Sequence, residues 1–140
     1  KAIIQTWNPD NIFIQMASKL NIDNYYNICL KDRKLLNYPP FCKLIRIIIT
    51  GIDKTQIEMK AKNIKNKLNN NSKEFTILGP SIAPIEKINN NWRYHLLIKV
   101  DRQYLFSTYK HIEKELGFET FYKKTKSTKI EIEIDPISIL

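Results

Sequence analysis

Two consecutive prolines separate a helical run from a strand-like run in the stretch LLNYPPFCKLIRIIITG, residues 35–51. Proline lacks a backbone N–H and keeps the residue before it out of the α region, so no helix can continue through Pro39 and Pro40. The upstream helix must therefore end near Asn37. The stretch predicts a stiff joint between a helical appendage and an independent domain.

The residues before the joint predict one short strand followed by two helices. The run KAIIQTW at residues 1–7 is rich in β-formers, and Asn8 and Pro9 then occupy positions typical of a helix start. Asp23 is the expected N-cap of the second helix. Helical spacing places Ile12, Met16 and Leu20 on one face of the first helix. In the second helix the apolar residues that recur at helical spacing are Tyr26, Leu30 and either Cys29 or Leu36.

From residue 42 onward, alternating strand patterns and helical stripes predict a second kind of architecture. Four strands are predicted, the second of them a proline-interrupted edge strand, at residues 42–50, 75–88, 92–100 and 128–135. Two helices, near 54–69 and 102–116, carry apolar residues at the same offsets, and Asp101 is the expected cap of the second. The order predicts an α+β fold, a ferredoxin-like βαββαβ sandwich with both helices on one face of a mostly antiparallel sheet.

Within the first strand of this domain, alternation places Ile45, Ile47 and Ile49 on one face and Arg46 on the other. The last strand presents a row of carboxylates, Glu131, Glu133 and Asp135, for which we expect ion pairs with Arg46 and Lys99 rather than a catalytic or metal-binding role. His95 and His111 have no partner pattern and are expected at the surface or at a strand end.

The chain has 140 residues and a formal net charge of +9, which is typical of proteins that neutralise phosphates. Lysine and asparagine are abundant, as an A+T-rich genome produces whatever the function, so the four arginines carry more weight: Arg33, Arg46, Arg93 and Arg102. The two cysteines, Cys29 and Cys42, lack metal-ligand spacing and are expected as buried, reduced thiols. No apolar run is long enough for a membrane span, and a cytoplasmic protein is expected.

Trp92 beside Arg93 is the strongest candidate for nucleic-acid contact, because an aromatic face stacks a base and a guanidinium holds a phosphate. Lys87 and Lys99 are the accompanying candidates. Arg102 and Arg33 are candidate contacts with DNA or a partner, and lysines 60, 62, 65 and 67 form a diffuse second surface. For Trp92 and Arg93, packing is the alternative.

Two other functions are open on the residues alone. A stand-alone RNA-binding module of the same strand order needs aromatic residues on the open faces of its central strands. Those positions hold Leu44, Arg46, Ile48, His95, Leu97 and Lys99 instead. A small enzyme needs a nucleophile–base pair or a ligand cluster, and the sequence contains neither pattern.

Four motifs in order resemble the C-terminal part of the PriA family of bacterial replication-restart helicases. The resemblance rests on KDRKLLNYPPFCKLIRI, ILGPSIAPIEKI, WRYHLLIK and IEIDPISIL. The matching positions are Arg33 and Leu36 before Tyr38, Pro39, Pro40 and Phe41; then Leu78, Gly79 and Pro80 with Ala83 and Pro84; Trp92 with Arg93; and Asp135 with Pro136.

This resemblance implies a fragment of an ATP-driven 3′-to-5′ DNA helicase that recognises stalled forks. It implies that residues 1–20 end the second helicase lobe, 21–41 form a connecting helix with the YPPF joint, and 42–140 form the C-terminal domain. The chain lacks a GxxxxGK[ST] loop, so ATP and zinc are expected in the rest of the parent protein and no cofactor is expected here. The implied partners are forked or single-stranded DNA, single-stranded DNA-binding protein and primosome proteins.

Overall fold

The computed structural model describes residues 3–69, 74–117 and 128–137. The chain divides into two compact units, Lys1–Asn37 and Tyr38–Leu140. The first unit is helical within its described residues, and the second contains the sheet.

The first unit contains helices α1 (Ile12–Ser18) and α2 (Ile22–Leu35). Both caps differ from the prediction: the Asn11 side chain accepts the backbone N–H of Phe13 at 2.9 Å, and the Asn21 side chain accepts that of Asn24 at 3.3 Å. Several Asn and Asp residues lie near the start of each helix, and any of them has the oxygen that a cap requires. Which one is used depends on where the chain turns into the helix.

The strand predicted at residues 1–7 is wrong for its described part, because residues 3–7 have no regular secondary structure. A strand needs a neighbour for its hydrogen bonds, and the described residues of this unit contain no other strand. Lys1 and Ala2 lie outside the described residues. Helix α2 ends at Leu35 with Leu36 as its C-cap, which confirms a helix end close to Asn37.

The apolar residues that recur at helical spacing in the first unit are largely exposed. Of the described residues in this unit only Met16 is buried, while Cys29 is half-buried. Phe13 and Tyr25 make an edge-to-face ring contact with centroids 5.7 Å apart. The exposed residues among these positions are Ile12, Leu20, Tyr26, Leu30 and Leu36. Among the described residues, no helix has the length and apolar character needed to cross a membrane.

The second unit is an α+β domain, as predicted, with a four-stranded sheet in the order β2-β3-β1-β4. Every neighbouring pair of strands is antiparallel. A 3₁₀ turn, Arg102–Tyr104, precedes the last helix. The elements are β1 (Lys43–Gly51), α3 (Lys54–Asn69), β2 (Phe75–Ile88), β3 (Asn91–Val100), α4 (Leu105–Leu116) and β4 (Thr128–Ile134).

Helices α3 and α4 cover the same face of the sheet, as their matching stripes predict. This helix-covered face carries Ile45, Ile47 and Ile49 of β1, all fully buried. Alternation along β1 brings every second side chain to that face. The helix residues packed there are Ile57, Ala61, Ile64 and Leu68 of α3 and Leu105, Ile112 and Leu116 of α4.

Helices α3 and α4 begin in different ways. Asp53 caps α3, because its side chain accepts the backbone N–H groups of Thr55 and Gln56 at 2.8 and 3.0 Å. Asp101 was predicted to cap α4, but its side chain makes no capping hydrogen bond. Its carbonyl accepts the Tyr104 N–H at 2.9 Å instead, which forms the 3₁₀ turn before the helix.

The second face of the sheet, away from the helices, is also largely covered along β1. Leu44, Arg46 and Ile48 are each less than 10% exposed because β1 lies between two neighbouring strands. Arg46 lies 3.6 Å from the Glu133 carboxylate, which confirms that ion pair. Lys99 lies on β3, which β1 separates from β4, and its ammonium group lies 3.6 Å from the centroid of the Tyr38 ring.

The remaining carboxylates of β4 pair with other lysines. Asp135 pairs with Lys43, and its second oxygen accepts the backbone N–H of Leu44 at 3.3 Å. The hydrogen bond from Lys43 and that from Leu44 hold the pKa of Asp135 below its usual value. Glu131 pairs with Lys129 of its own strand. The DP motif thus closes the end of β4 against the start of β1.

Strand β2 is the edge strand that its prolines predict. Its pairing with β3 shifts register between Leu78 and Ser81 and again between Ile82 and Lys87. The Gly79–Pro80 peptide bond at the first shift is cis, as is Pro39–Pro40 in the YPPF joint. The turn into β3 uses Asn89 and Asn90 at φ 47° and 64°, the left-handed conformations that a two-residue hairpin needs.

Candidate nucleic-acid interface

Trp92 lies at the start of β3, directly between its neighbours in the sheet. It pairs with Gly51 of β1 on one side and with Lys87 of β2 on the other. Its side chain is half-buried and packs against the edge of the helix-covered core. The core therefore contacts part of the indole and leaves the rest accessible.

Two lysine ammonium groups approach the Trp92 ring. Lys54 Nζ lies 4.6 Å from the ring centroid and Lys87 Nζ lies 4.9 Å from it, both within the range of a cation–π contact. Lys54 is the first residue of α3 and Lys87 belongs to β2, so the two cations come from different elements of the domain. We call Trp92, Lys54 and Lys87 the hairpin cluster.

Neither lysine of the hairpin cluster forms an ion pair with a carboxylate of the described residues, although the charge of Lys54 helps to lower the pKa of Glu58. Lys43, Lys62 and Lys129, in contrast, each form an ion pair. Both cluster lysines are exposed. The hairpin cluster therefore presents two positive charges beside an aromatic ring, and phosphate is the chemistry that such charges attract.

Trp92 and Arg93 do not form one site, although they were predicted together. Consecutive strand residues point to opposite faces of a sheet, and Arg93 lies on the face away from the helices. One of its guanidinium N–H groups donates to the carbonyl of Ile85 at 3.2 Å. Arg93 is thus a separate candidate on the second face.

The other predicted contacts are spread over the chain. Lys99 lies seven residues further along β3 than Trp92, about 23 Å at the usual rise per strand residue. Arg102 is exposed in the 3₁₀ turn, and Arg33 belongs to the last turn of α2 in the first unit. Lys99 therefore does not extend the hairpin cluster.

Three of the four α3 lysines predicted as a diffuse second surface serve internal contacts. Lys60 donates to Thr128 Oγ1, Lys62 to Glu58 and Lys65 to the Gly79 carbonyl, each at 2.6 Å. Lys54 was not singled out from the sequence. Only the pairing of Gly51 with Trp92 brings the residue three positions later to the ring.

His95 lies in the middle of β3 on the second face, so the expectation of a surface or strand-end histidine is wrong. It pairs with Ile48 of β1 and Ser81 of β2, and its buried Nδ1 atom has no hydrogen-bond partner among the described residues. Burial, followed by the positive charges of Arg46 and Arg93, lowers the pKa of His95 below its usual value of 6.5. The imidazole is therefore neutral at physiological pH.

Acidification is expected to destabilise this chain through His95. Its pKa is lower in the folded chain than in the unfolded chain, so the unfolded chain binds the proton more readily and stability falls as pH drops through 6.5. Urea unfolding at about pH 7.5 and about pH 5.5 measures this loss, and His95→Gln should reduce it. An equal loss in the variant would exclude His95 as the cause.

Tyr38 and Gly79 of the sequence motifs make contacts within the domain, and Cys42 is buried. Tyr38 contacts Lys99 at the YPPF joint, and the Gly79 carbonyl accepts the Lys65 ammonium. Cys42 is buried, as expected, and burial raises the pKa of its thiol. Within the described residues no group of three or more His, Cys, Asp or Glu side chains could hold a metal ion.

The family comparison matches most of the chain. A family model described as the primosomal protein N C-terminal domain matches residues 34–137. This chain belongs to the PriA family. The residues matched include the YPPF joint, the whole sheet and the DP motif.

Curated PriA proteins extend the similarity to nearly the whole chain. Replication restart protein PriA of Borreliella burgdorferi is 37% identical over 144 residues, covering 99% of this chain and 20% of that protein. The Rickettsia prowazekii protein of the same name is 31% identical over 136 residues, covering 95% of this chain and 19% of that protein. The chain therefore corresponds to the C-terminal region of PriA and spans about a fifth of these relatives.

Proposed function

We propose that this chain acts in replication restart as a DNA-contacting and partner-docking region of a PriA helicase. The relatives are named replication restart proteins, and the family match covers the sheet unit. The observation that carries the DNA contact is the hairpin cluster, where two lysine ammonium groups that form no ion pair with the described residues lie 4.6 and 4.9 Å from the centroid of one indole. A net charge of +9 adds a long-range attraction for phosphates.

We also assign the sheet unit to the ferredoxin-like sandwiches. Its elements follow in the order βαββαβ, and its strands lie in the order β2-β3-β1-β4 with both helices on one face. The alternative of an RNA-recognition module has less support. On the second face, Leu44 and Ile48 are buried and none of the β1 and β3 positions holds Phe, Tyr or Trp, so the usual stacking platform of an RNA-recognition module is lacking there.

The wider activity is proposed from the family resemblance. We propose that ATP hydrolysis and zinc binding belong to the part of PriA that this chain does not span, about four-fifths of the relatives' length. Neither ATP nor zinc is assigned to residues of this chain. Single-stranded DNA-binding protein and primosome proteins are the proposed partners. Since bacterial replication takes place in the cytoplasm, the proposed location is cytoplasmic.

We expect the 140-residue chain to bind single-stranded and forked DNA with a dissociation constant of about 10⁻⁴ to 10⁻⁶ M at physiological salt, typical of non-specific phosphate contacts. Fluorescence anisotropy over a range of salt concentrations measures this. The double variant Lys54→Gln/Lys87→Gln should bind more weakly, and its salt slope should fall by about 1.4, since each single-strand phosphate contact contributes about 0.7.

A matched control removes the same charge elsewhere. Lys31→Gln/Lys34→Gln in α2 changes the net charge equally and should leave the salt slope nearly unchanged. Arg93→Ala reports on the second face and should lower the slope by about 0.7 if Arg93 contacts a phosphate. Absence of DNA binding by the folded chain would overturn the proposed function. Tighter binding to RNA of the same sequence would favour the RNA-binding alternative.

A further inference from the structure

We propose that the hairpin cluster binds one unstacked base of a single-stranded nucleic acid together with the phosphates on either side of it. In the bound state the base lies on the Trp92 ring, and the ammonium groups of Lys54 and Lys87 move from the ring to the phosphates. This inference rests on the proposed function, because it names the form of DNA that the same site selects.

The arrangement of the hairpin cluster fits such an exchange. The indole is held by the core on one side, whereas both lysines are exposed and end in long, flexible side chains. Lys87 lies on β2 and Lys54 at the start of α3, and each ammonium group lies within 5 Å of the ring centroid. A nucleotide bound there would meet an aromatic surface at its base and a positive charge towards each neighbouring phosphate.

The exchange is expected to lower the free energy of the complex. An exposed cation–π contact is weaker than the stacking of a base on an aromatic ring. The displaced ammonium groups do not lose their electrostatic partner, because each gains a phosphate and releases a counterion. The two lysines therefore contact the ring in the free protein but can be displaced by a base.

The same geometry selects against duplex DNA. In a duplex both faces of each base are stacked on neighbouring pairs, so no face is available to an indole unless the base is unstacked first. Unstacking costs free energy, and the cost is least for bases that are already single-stranded. The site is therefore expected to read the unpaired strand of a fork and to leave its duplex arms to non-specific contacts.

A second aromatic–lysine pair in the chain provides an internal control. Lys110 Nζ lies 5.1 Å from the centroid of the Phe106 ring on α4. That ring is 72% exposed and has one lysine rather than two. Phe106 thus resembles Trp92 in chemistry but lacks a buried support and a second flanking charge.

The test uses the intrinsic fluorescence of Trp92. The chain has two tryptophans, so Trp7→Phe leaves Trp92 as the single reporter. This chain is titrated with oligothymidylate and with an abasic oligonucleotide of equal length, which has the same phosphates but no bases. We expect oligothymidylate to quench the emission and to bind roughly 5- to 100-fold more tightly than the abasic strand.

Variants assign the difference to the ring. Trp92→Phe keeps an aromatic surface and should retain most of the preference for oligothymidylate in anisotropy measurements, while Trp92→Ala should abolish it. Phe106→Ala should leave it unchanged. The comparison of the two oligonucleotides needs no variant at Trp92, so it decides the question even if Trp92→Ala fails to fold.

The outcomes separate this inference from the proposed function. Equal affinity for the two oligonucleotides, with no change in Trp92 emission, would overturn the base-stacking site and leave DNA binding intact. Absence of binding to either oligonucleotide would overturn both. Quenching together with a preference that disappears in Phe106→Ala would also overturn it, because the base would then stack on α4.

Discussion

Leu96→Ala is expected to lower the free energy of unfolding of the sheet unit by about 2–5 kcal/mol, the usual cost of truncating a fully buried leucine. Leu96 has no exposed surface and belongs to the core between the sheet and the two helices. It pairs with Ile47 of β1, also fully buried. Truncation would leave a cavity that a rigid central strand cannot collapse to fill. Urea unfolding followed by far-UV circular dichroism measures the change.

The neighbouring residue supplies a matched control. Leu97 has the same side chain in the same strand but points to the second face and is half-buried. Leu97→Ala should therefore cost clearly less than Leu96→Ala. Equal costs for the two variants would contradict the assignment of the helices to one face of the sheet.

Gly79→Ala is expected to destabilise the edge of the sheet by at least about 1–3 kcal/mol, the cost of a strained backbone conformation. Gly79 has φ +91°, a conformation that residues with a side chain rarely adopt. A Cβ atom there would also lie 2.9 Å from the carbonyl oxygen of His95 on β3. Since that atom belongs to the backbone of a central strand, the edge strand would have to move away.

The effect of Gly79→Ala is measured by thermal and urea unfolding, with Ser81→Ala as the control. Ser81 lies on the same edge strand and is exposed, so its truncation should change stability by less than about 0.5 kcal/mol. Movement of the edge strand would also lengthen the hydrogen bond from Lys65 to the Gly79 carbonyl. An unchanged unfolding midpoint for Gly79→Ala would contradict this prediction, because it would show that β2 moves without a cost in free energy.

The elements of the sheet unit and their order could be predicted from the residue pattern. The stripe Ile57, Ala61, Ile64 and Leu68 predicts α3 and its buried face, because side chains four or three residues apart share one side of a helix. The prolines of β2 likewise predict an edge strand, since proline cannot donate to a neighbour. These features depend on local geometry alone and are confirmed.

The caps and the buried residues of the first unit, Lys1–Asn37, were less predictable for two physical reasons. Several side chains near each helix start can accept a backbone N–H, so Asn11 and Asn21 cap the helices where Asn8 and Asp23 were expected. Helical periodicity indicates which residues share a side but not whether anything covers that side. Leu20, part of the predicted stripe, follows the end of α1 and is exposed.

One part of the hairpin cluster could be predicted from the sequence, and the other part depends on the tertiary structure. Trp92 stood out from the sequence as an aromatic residue at a strand start, and strand alternation already separates it from Arg93. Lys54 and Lys87 lie 38 and 5 positions from Trp92, and only strand register brings both to its ring. Register results from the packing of α3 and α4 on β1 and β3 together with the two-residue turn after β2. A charge distant in sequence therefore becomes a neighbour only when the whole sheet has formed.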